Sequence, residues 1–127
     1  MKLYIVGGKS PAGKALIELL RKHKIRFLAP ADKYFDPDNA LAIAKSITDF
    51  RPDQLINLAD FISGNHGALK RAESTQQRCR QINAQLPAVL SEVCRKHEIP
   101  LLHLSNSYVF DGEKKLAYNE ADELNPQ

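Results

Sequence analysis

Residues 7–13, with the sequence GGKSPAG, carry the clearest chemical signal in the chain. They follow an apolar run that predicts a strand, and Pro11 favours the first turn of a helix. A glycine-rich turn between a strand and a helix exposes N–H groups that can bind a phosphate, as a Rossmann domain does with a dinucleotide. The competing interpretation is a glycine turn without a ligand. The predicted cofactor-binding residues of this loop are Gly7, Gly8, Ser10, Pro11, Ala12 and Gly13.

The middle position of this loop departs from the usual pattern. The spacing from Gly7 to Gly13 fits G-x-x-G-x-x-G, but Ser10 stands where the middle glycine is expected. That glycine lets the backbone approach the pyrophosphate of the cofactor. The Ser10 side chain therefore either obstructs the phosphate or donates a hydrogen bond to it.

Two charged residues follow the second predicted strand. Asp32 lies 19 residues after Gly13, close to the spacing of the acid that binds the ribose 2′-hydroxyl of NAD. Lys33 could instead meet the 2′-phosphate of NADP. A solvated pair of loop residues explains both equally well, so the sequence leaves NAD and NADP open as cofactors.

The elements that must position these residues alternate along the chain. The predicted strands are residues 3–6, 25–28, 54–58 and 101–104, with helical spacing of apolar residues between them. Such alternation produces parallel pairing through right-handed crossovers. We therefore predict an α/β fold, a Rossmann-like three-layer domain over residues 1–127. Its four-stranded parallel sheet has the order 3-2-1-4 and is flanked by helices, and residues 105–127 form an extended tail.

Local signals predict where helices begin and bend. Asp36 or Asp38 can cap the second helix. Ser74, followed by glutamine three residues later, fits a capping box for the third helix. Pro87 lies inside that helix pattern, so we expect a kink or a restart there.

Composition narrows the classes of function. The chain has 127 residues, 43% hydrophobic and 26% charged, which is typical of a soluble globular domain. The net charge of +3 is too small to indicate nucleic acid, and no apolar run is long enough to span a bilayer. The four histidines lack metal-ligand spacing, and Cys79 and Cys94 are too far apart on one helix for a disulfide. We expect free thiols, no metal, no nucleic-acid or membrane partner, and a cytoplasmic location.

Several short motifs occur in one order along the chain. Beyond the glycine loop they are RPD at residues 51–53, NLA at 57–59, KRAES at 70–74, INA at 82–84 and YVFDG at 108–112. Together they resemble the N-terminal part of the dTDP-4-dehydrorhamnose reductase family. These proteins are extended short-chain dehydrogenases that reduce a keto sugar nucleotide with NAD(P)H. The YVFDG segment, which follows the fourth predicted strand, is the most specific part of the resemblance.

The resemblance implies roles for residues that spacing alone does not single out. It implies hydride transfer from a nicotinamide to a keto-sugar carbon, with a sugar nucleotide as the partner of a longer chain. The residues so implied are Leu58, Ala59 and Asn83 for the cofactor, Tyr108 and Phe110 for the substrate, and Ser105, Asn106 and Ser107 as candidate catalytic residues.

Two substitutions depart from the family pattern. Asn106 stands where the family has a catalytic hydroxyl, and Asp60 places a carboxylate near the expected pyrophosphate, which it would repel unless solvated or paired. The family's Tyr-x-x-x-Lys, which gives the proton to the substrate, is expected just beyond Gln127. We therefore expect the cofactor-binding part of a reductase, truncated relative to the full family fold, with weak or absent activity from these residues alone.

Two alternative functions stay open. A non-catalytic relative would bind NAD(P) or a protein partner without turnover, as the substitutions at Ser10 and Asn106 suggest. An interaction module would form a homodimer through the exposed edge strand at residues 101–104, unless the tail at residues 105–127 covers that edge.

Overall fold

The computed structural model describes residues 1–61 and 76–125. The strands are β1 (Lys2–Val6), β2 (Arg26–Leu28), β3 (Gln54–Asn57) and β4 (Leu101–His103). The helices are α1 (Pro11–Lys22), α2 (Ala40–Phe50), α3 (Gln76–Arg80) and α4 (Leu86–Lys96), and a π-helical turn (Gln81–Gln85) joins α3 to α4. Short 3-10 turns occupy Asp32–Tyr34, Pro37–Asn39 and Ser107–Val109. The predicted α/β class, with a four-stranded parallel sheet, is confirmed.

The strands pair in the order β2-β1-β3-β4. The predicted order 3-2-1-4 is wrong, because β3 pairs with β1, where Val6 lies opposite Asn57. Burial explains the difference. The last three residues of β3 are buried and need a neighbouring strand on each side, whereas β2 exposes Arg26 and Leu28 and suits a sheet edge.

Alternate residues of β1 pack on opposite faces of the sheet. Tyr4 and Val6 face a core shared with α2 and α4, whereas Leu3 and Ile5 face a core shared with α1. Because helices cover both faces, β1 is a nearly continuous apolar run, and β3 has the apolar residues Leu55 and Ile56 at its centre. The connection through α1 therefore lies on one face, and that through α2 on the other. The ends of β1 and β3 meet where the connections diverge.

The fourth strand is covered less completely than β1 and β3. As predicted, β4 lies at an edge of the sheet. Leu102 is beside Ile56 in the sheet register, yet Leu102 is 53% exposed, and Leu104 just after the strand is 54% exposed. Over β4, the face that α1 covers elsewhere is open in the described part of the chain.

Pro87 shapes the junction between α3 and α4. A proline has no N–H, and its ring clashes with the carbonyl four residues earlier, here that of Asn83. The chain widens into a π-helical turn in which the Leu86 N–H donates to the Gln81 carbonyl, and α4 then begins with Pro87 in its first turn. The predicted kink or restart is confirmed. The predicted capping box at Ser74 lies outside the described residues.

A 3-10 turn moves the start of α2. The Asn39 Oδ1 caps α2 by accepting a hydrogen bond from the Ala42 N–H at 3.3 Å. Asp36 caps the preceding 3-10 turn instead, accepting from the Asp38 N–H at 3.1 Å. The prediction that Asp36 or Asp38 caps α2 is therefore wrong, because the extra turn separates these residues from the helix.

Candidate functional site

A cleft of about 410 Å³ opens at the carboxyl ends of β1 and β3. Ligands of open α/β sheets bind at such a switch point, where successive connections leave on opposite faces. The volume is in the range of pockets that hold small ligands. The lining residues are Val6, Gly7, Lys9, Ser10, Pro11, Asp32, Phe35, Ala59, Asp60, Phe61, Arg78, Ile82 and Leu86.

Two glycines of the loop allow its backbone to pack against its neighbours. Gly7 has a φ of +76°, and a Cβ there would lie 2.3 Å from the Ala59 nitrogen. A Cβ on Gly13 would lie 2.3 Å from the Gly7 carbonyl oxygen. Real Cβ atoms do not approach backbone this closely, so both positions require glycine. Their role is to bring the N-terminus of α1 and the turn after β3 together at the cleft.

Ser10 caps α1 and also lines the cleft. Its N–H donates to the Gly7 carbonyl at 3.0 Å, and its Oγ accepts from the Gly13 N–H at 3.0 Å. The hydroxyl hydrogen is still available to donate to a phosphate oxygen. Pro11 has no N–H, so Ala12 provides the remaining N–H of the first three helical residues. The loop fits a phosphate group, with fewer backbone donors than an all-glycine loop would have.

The predicted cofactor residues divide between the cleft and its surroundings. Gly7, Ser10, Pro11, Asp32 and Ala59 line the cleft, whereas Gly8, Ala12, Gly13, Lys33, Leu58 and Asn83 lie outside its lining. Leu58 is buried in the core under α1. Lys33 turns toward Tyr34, with its Nζ 5.1 Å from the ring centre. Of the two predicted ribose-binding residues, the cleft therefore contains only Asp32.

Two asparagines hold the turn after β3. Asn57 is fully buried, and its Oδ1 accepts from the Ala59 N–H at 3.1 Å while its Nδ2 lies 3.0 Å from the His103 Nδ1. Asn83, in the π-helical turn, accepts from the Phe61 N–H at 3.1 Å through its Oδ1. Buried amides stay stable only when they are hydrogen-bonded, so these contacts fix the wall formed by Ala59 and Phe61.

The candidate catalytic residues lie beside the cleft. Ser105 and Ser107 are exposed, and neither they nor Asn106 lines it. The Asn106 Oδ1 accepts from the Tyr108 N–H at 3.0 Å, and its Nδ2 donates to the Asp60 Oδ1 at 3.5 Å. Asp60, which lines the cleft, is thus bonded to an amide after β4. Asn106 and Asp60 are the two residues that depart from the family pattern. The asparagine at the position of the family's hydroxyl is thus a hydrogen-bond partner of Asp60.

The candidate substrate residues belong to a tail with its own polar network. Tyr108 is 49% exposed, and Phe110 stacks on Tyr118 with ring centres 4.3 Å apart. The Tyr118 hydroxyl donates to the Asp111 Oδ1 at 2.6 Å, and the Asn125 Nδ2 donates to the Asp111 Oδ2 at 3.0 Å. The hydrogen bond from Tyr118 is the main cause that lowers the pKa of Asp111 to about 2. The carboxylate therefore anchors the tail in its ionised form.

Sequence reasoning missed part of the cleft. The sequence motifs assign no role in the cleft to Phe35, Arg78 or Leu86, all of which line it. The available signal was the spacing of Arg78, Ile82 and Leu86, four residues apart on one helical path. Lys9 was also overlooked, although it lies inside the glycine loop and lines the cleft.

Other site types find no support in the described ranges, residues 1–61 and 76–125. No group of three or more His, Cys, Asp or Glu side chains there could hold a metal ion. No helix in the same ranges has the length and apolar character needed to cross a membrane.

Comparison with known sequences identifies relatives over the whole chain. A family model described as the RmlD substrate binding domain matches residues 1–127. A dTDP-4-dehydrorhamnose reductase from Aggregatibacter actinomycetemcomitans is 29% identical over 126 residues, covering 98% of this chain and 41% of the relative. One from Sinorhizobium fredii is 30% identical over 126 residues, covering 99% of this chain and 40% of the relative. The chain thus spans about two fifths of the length of these curated relatives.

Solved structures share the fold. A dTDP-4-dehydrorhamnose reductase from Clostridium acetobutylicum superposes with a TM-score of 0.85 at 29% identity, covering 100% of this chain and 44% of that chain. A dTDP-4-dehydrorhamnose reductase from Bacillus anthracis, solved in complex with NADP, has a TM-score of 0.84 at 22% identity. The match covers 98% of this chain and 43% of the Bacillus anthracis chain. At that lower identity the likeness shows the fold alone.

Replacing Gly7 by alanine should destabilise the protein far more than replacing Gly112. Both glycines have positive φ, but a Cβ at Gly112 would meet no atom within 4 Å. Strain and overlap together should lower the free energy of unfolding by about 2–5 kcal/mol for Gly7→Ala. Gly112→Ala should lower it by about 1 kcal/mol. Urea denaturation of both variants measures the difference, and equal losses would contradict the packing role of Gly7.

The tail should loosen in acid. Because the pKa of Asp111 is lower in the folded protein than its ordinary value of 3.8, its stabilising contribution is fully present above about pH 4 and is lost as pH falls through about 2. Tyr118→Phe should raise the pKa of Asp111, whereas Tyr108→Phe should leave it unchanged. Carboxyl NMR titration measures both variants. An Asp111 that titrates near 3.8 in the wild type would contradict the network.

Proposed function

Because the chain belongs to the RmlD substrate binding domain family, we propose that it binds a nicotinamide dinucleotide in the cleft between β1 and β3. The resemblance of its motifs to the dTDP-4-dehydrorhamnose reductase family is confirmed by the family match and the curated relatives. The observation that carries the proposal is the close packing of Gly7 on Ala59. That packing places the N-terminus of α1 at a cleft with apolar and charged walls.

The phosphates of the cofactor would lie at the N-terminus of α1. Ser10 offers its hydroxyl and Ala12 its N–H, and the helix dipole favours an anion at this end. Lys9, which lines the cleft, adds a positive charge. The NADP complex of the Bacillus anthracis reductase supports this class of ligand. A bound cofactor would supply a hydride from its reduced nicotinamide. The residues of this chain would hold and orient the cofactor.

For the whole protein we propose reduction of a nucleotide-linked keto sugar, the activity for which the relatives are named. In this role Ser105, Asn106 and Ser107 orient the substrate carbonyl, and Tyr108 and Phe110 contact the sugar. The position of these residues after β4, beside the cleft lined by the loop after β1, supports the assignment.

A second candidate function is dinucleotide binding without catalysis. Asn106 favours it, because both parts of its amide are already engaged, with Tyr108 and with Asp60. An amide used to hold two loops together is a poor replacement for a hydroxyl that orients a substrate. The Asn106–Asp60 contact would then give the carboxylate near the cofactor a hydrogen-bond donor and hold it in place.

We also place the protein in the cytoplasm. Cys79 and Cys94 are free thiols, which persist in a reducing compartment. Burial raises the pKa of the Cys94 thiol, so it stays protonated and behaves as a small apolar core residue.

For the oligomeric state we propose a homodimer formed through β4. The edge strand presents unpaired backbone groups, and Leu102 and Leu104 beside it are about half exposed. A second copy would satisfy the backbone groups and cover these side chains.

Binding should depend on Lys9. Lys9→Gln removes a charge from the cleft and should weaken NADH and NADPH binding by about tenfold each. Lys14→Gln, an exposed change on α1 outside the cleft lining, is the matched control and should have little effect. Cofactor fluorescence measures both affinities. Absence of binding and of any thermal shift at millimolar NADH and NADPH would refute the proposed function.

An activity assay of the full-length protein separates catalysis from binding alone. Oxidation of NAD(P)H in the presence of a dTDP-4-keto sugar by the full-length protein supports the reductase. Tight cofactor binding with no oxidation supports the non-catalytic candidate.

Association through β4 should be visible in sedimentation. The wild type should sediment as a dimer, and Leu102→Lys should shift it to a monomer, because a charge on the edge opposes pairing. Leu116→Lys, an exposed apolar position in the tail, is the control and should leave the dimer intact. A monomeric wild type would exclude the interface.

A further inference from the structure

One wall of the cleft changes from apolar to charged along a single helical path. Leu86 is fully buried, Ile82 is half-buried and Arg78 is exposed, and all three line the cleft. They lie four residues apart across α3, the π-helical turn and α4. The helix thus presents an apolar floor that ends in a guanidinium at the rim.

The opposite wall changes in the same way. Phe35 is 2% exposed, and Asp32, three residues before it, is exposed. Both line the cleft. The Phe35 ring is fixed by an edge contact with Tyr4 of β1, with ring centres 6.2 Å apart. The two walls therefore place a pair of apolar surfaces inside and a pair of opposite charges at the rim.

An adenosine matches this arrangement, provided that the cleft holds a dinucleotide as proposed above. Phe35 and Leu86 are buried beneath the opening of the cleft, so a purine would lie over them and against the half-buried Ile82. Apolar surfaces of this kind bury the flat faces of a purine best. The attached ribose would then lie at the rim, between Asp32 and Arg78. A carboxylate accepts a hydrogen bond from a 2′-hydroxyl, whereas a guanidinium binds a 2′-phosphate.

We propose that Arg78 is a specificity-determining residue that makes the cleft prefer NADP(H) to NAD(H). The guanidinium has a planar set of donors that matches a phosphate. It takes the role that the sequence had offered to Lys33, which faces Tyr34 instead. The four charged residues of the lining are two cations, Lys9 and Arg78, and two carboxylates, Asp32 and Asp60. Asp60 is bonded to Asn106, so Asp32 is the carboxylate that we place with Arg78 at the rim.

Gln81 is a positioning residue for this guanidinium. The Arg78 Nη1 donates to the Gln81 Oε1 at 3.3 Å, and the Gln81 Nε2 donates to the Asp38 Oδ2 at 3.4 Å. The chain of contacts links the helix wall to the segment that follows Phe35. It restricts the guanidinium to the rim before any ligand arrives, which reduces the entropy lost on binding.

The test compares the affinities of NADPH and NADH, by cofactor fluorescence, for the wild type and matched variants. The wild type should bind NADPH about tenfold more tightly than NADH. Arg78→Gln should weaken NADPH binding by about tenfold and change NADH binding by less than about twofold. Arg80→Gln, an exposed arginine on the same helix outside the cleft lining, should change neither. Asp32→Asn should tighten NADPH binding, because it removes a repulsive charge.

A probe without nicotinamide isolates the adenosine end. Adenosine 2′,5′-bisphosphate should compete with NADPH more strongly than 5′-AMP does, and Arg78→Gln should abolish that advantage. Gln81→Ala should reduce the advantage by a smaller factor, about threefold. Circular dichroism checks that each variant is folded, as expected because Asp32, Arg78 and Arg80 are exposed and Gln81 is half-buried.

The outcomes separate this inference from the function on which it rests. If NADH and NADPH bind with equal affinity, or if Arg78→Gln weakens both equally, the role of Arg78 is refuted while dinucleotide binding stands. If neither cofactor nor the bisphosphate binds the wild type, the proposed function and this inference both fail.

Discussion

The backbone of Gly7 lies so close to the turn after β3 that a single Cβ would be 2.5 Å from the Leu58 carbonyl carbon and 2.3 Å from the Ala59 nitrogen. This approach joins the ends of β1 and β3 at the point where their connections diverge. Gly13, six residues later in the first turn of α1, repeats the constraint against the Gly7 carbonyl. The position of α1 beside the cleft depends on these two contacts.

The other side of the cleft depends on a helix that is not regular. Pro87 prevents an unbroken helix, and the resulting π-helical turn places Asn83 where its amide can accept from the Phe61 N–H. Such turns are frequent at functional sites because they redirect side chains without ending a helix. The same turn carries Gln81 and Ile82, so one local irregularity both fixes the turn after β3 and shapes the wall that faces Phe35.

Local patterns predicted the elements well and their arrangement less well. The strand–glycine–helix signal at residues 7–13 is local, and the structure shows it as predicted. Strand order depends on which strands are buried between neighbours in the folded sheet. The apolar residues of β2 and β3 do not show by themselves which of the two is central. The sequence also does not show that Lys33 lies outside the cleft lining and that Arg78 belongs to it. Both depend on how a 3-10 turn and a helix lie around the same cleft, on one face of the sheet.

The central claim is that a dinucleotide binds with its phosphates at the N-terminus of α1 and its adenosine against Ile82, over the buried Phe35. Two-dimensional amide NMR of this 14.2 kDa chain, recorded during titration with NADPH, tests it most directly. The largest shifts should occur at Lys9, Ser10 and Ala12, with a second group at Phe35 and Ile82. Shifts confined to β4 and the tail, or no shifts at saturating cofactor, would contradict it.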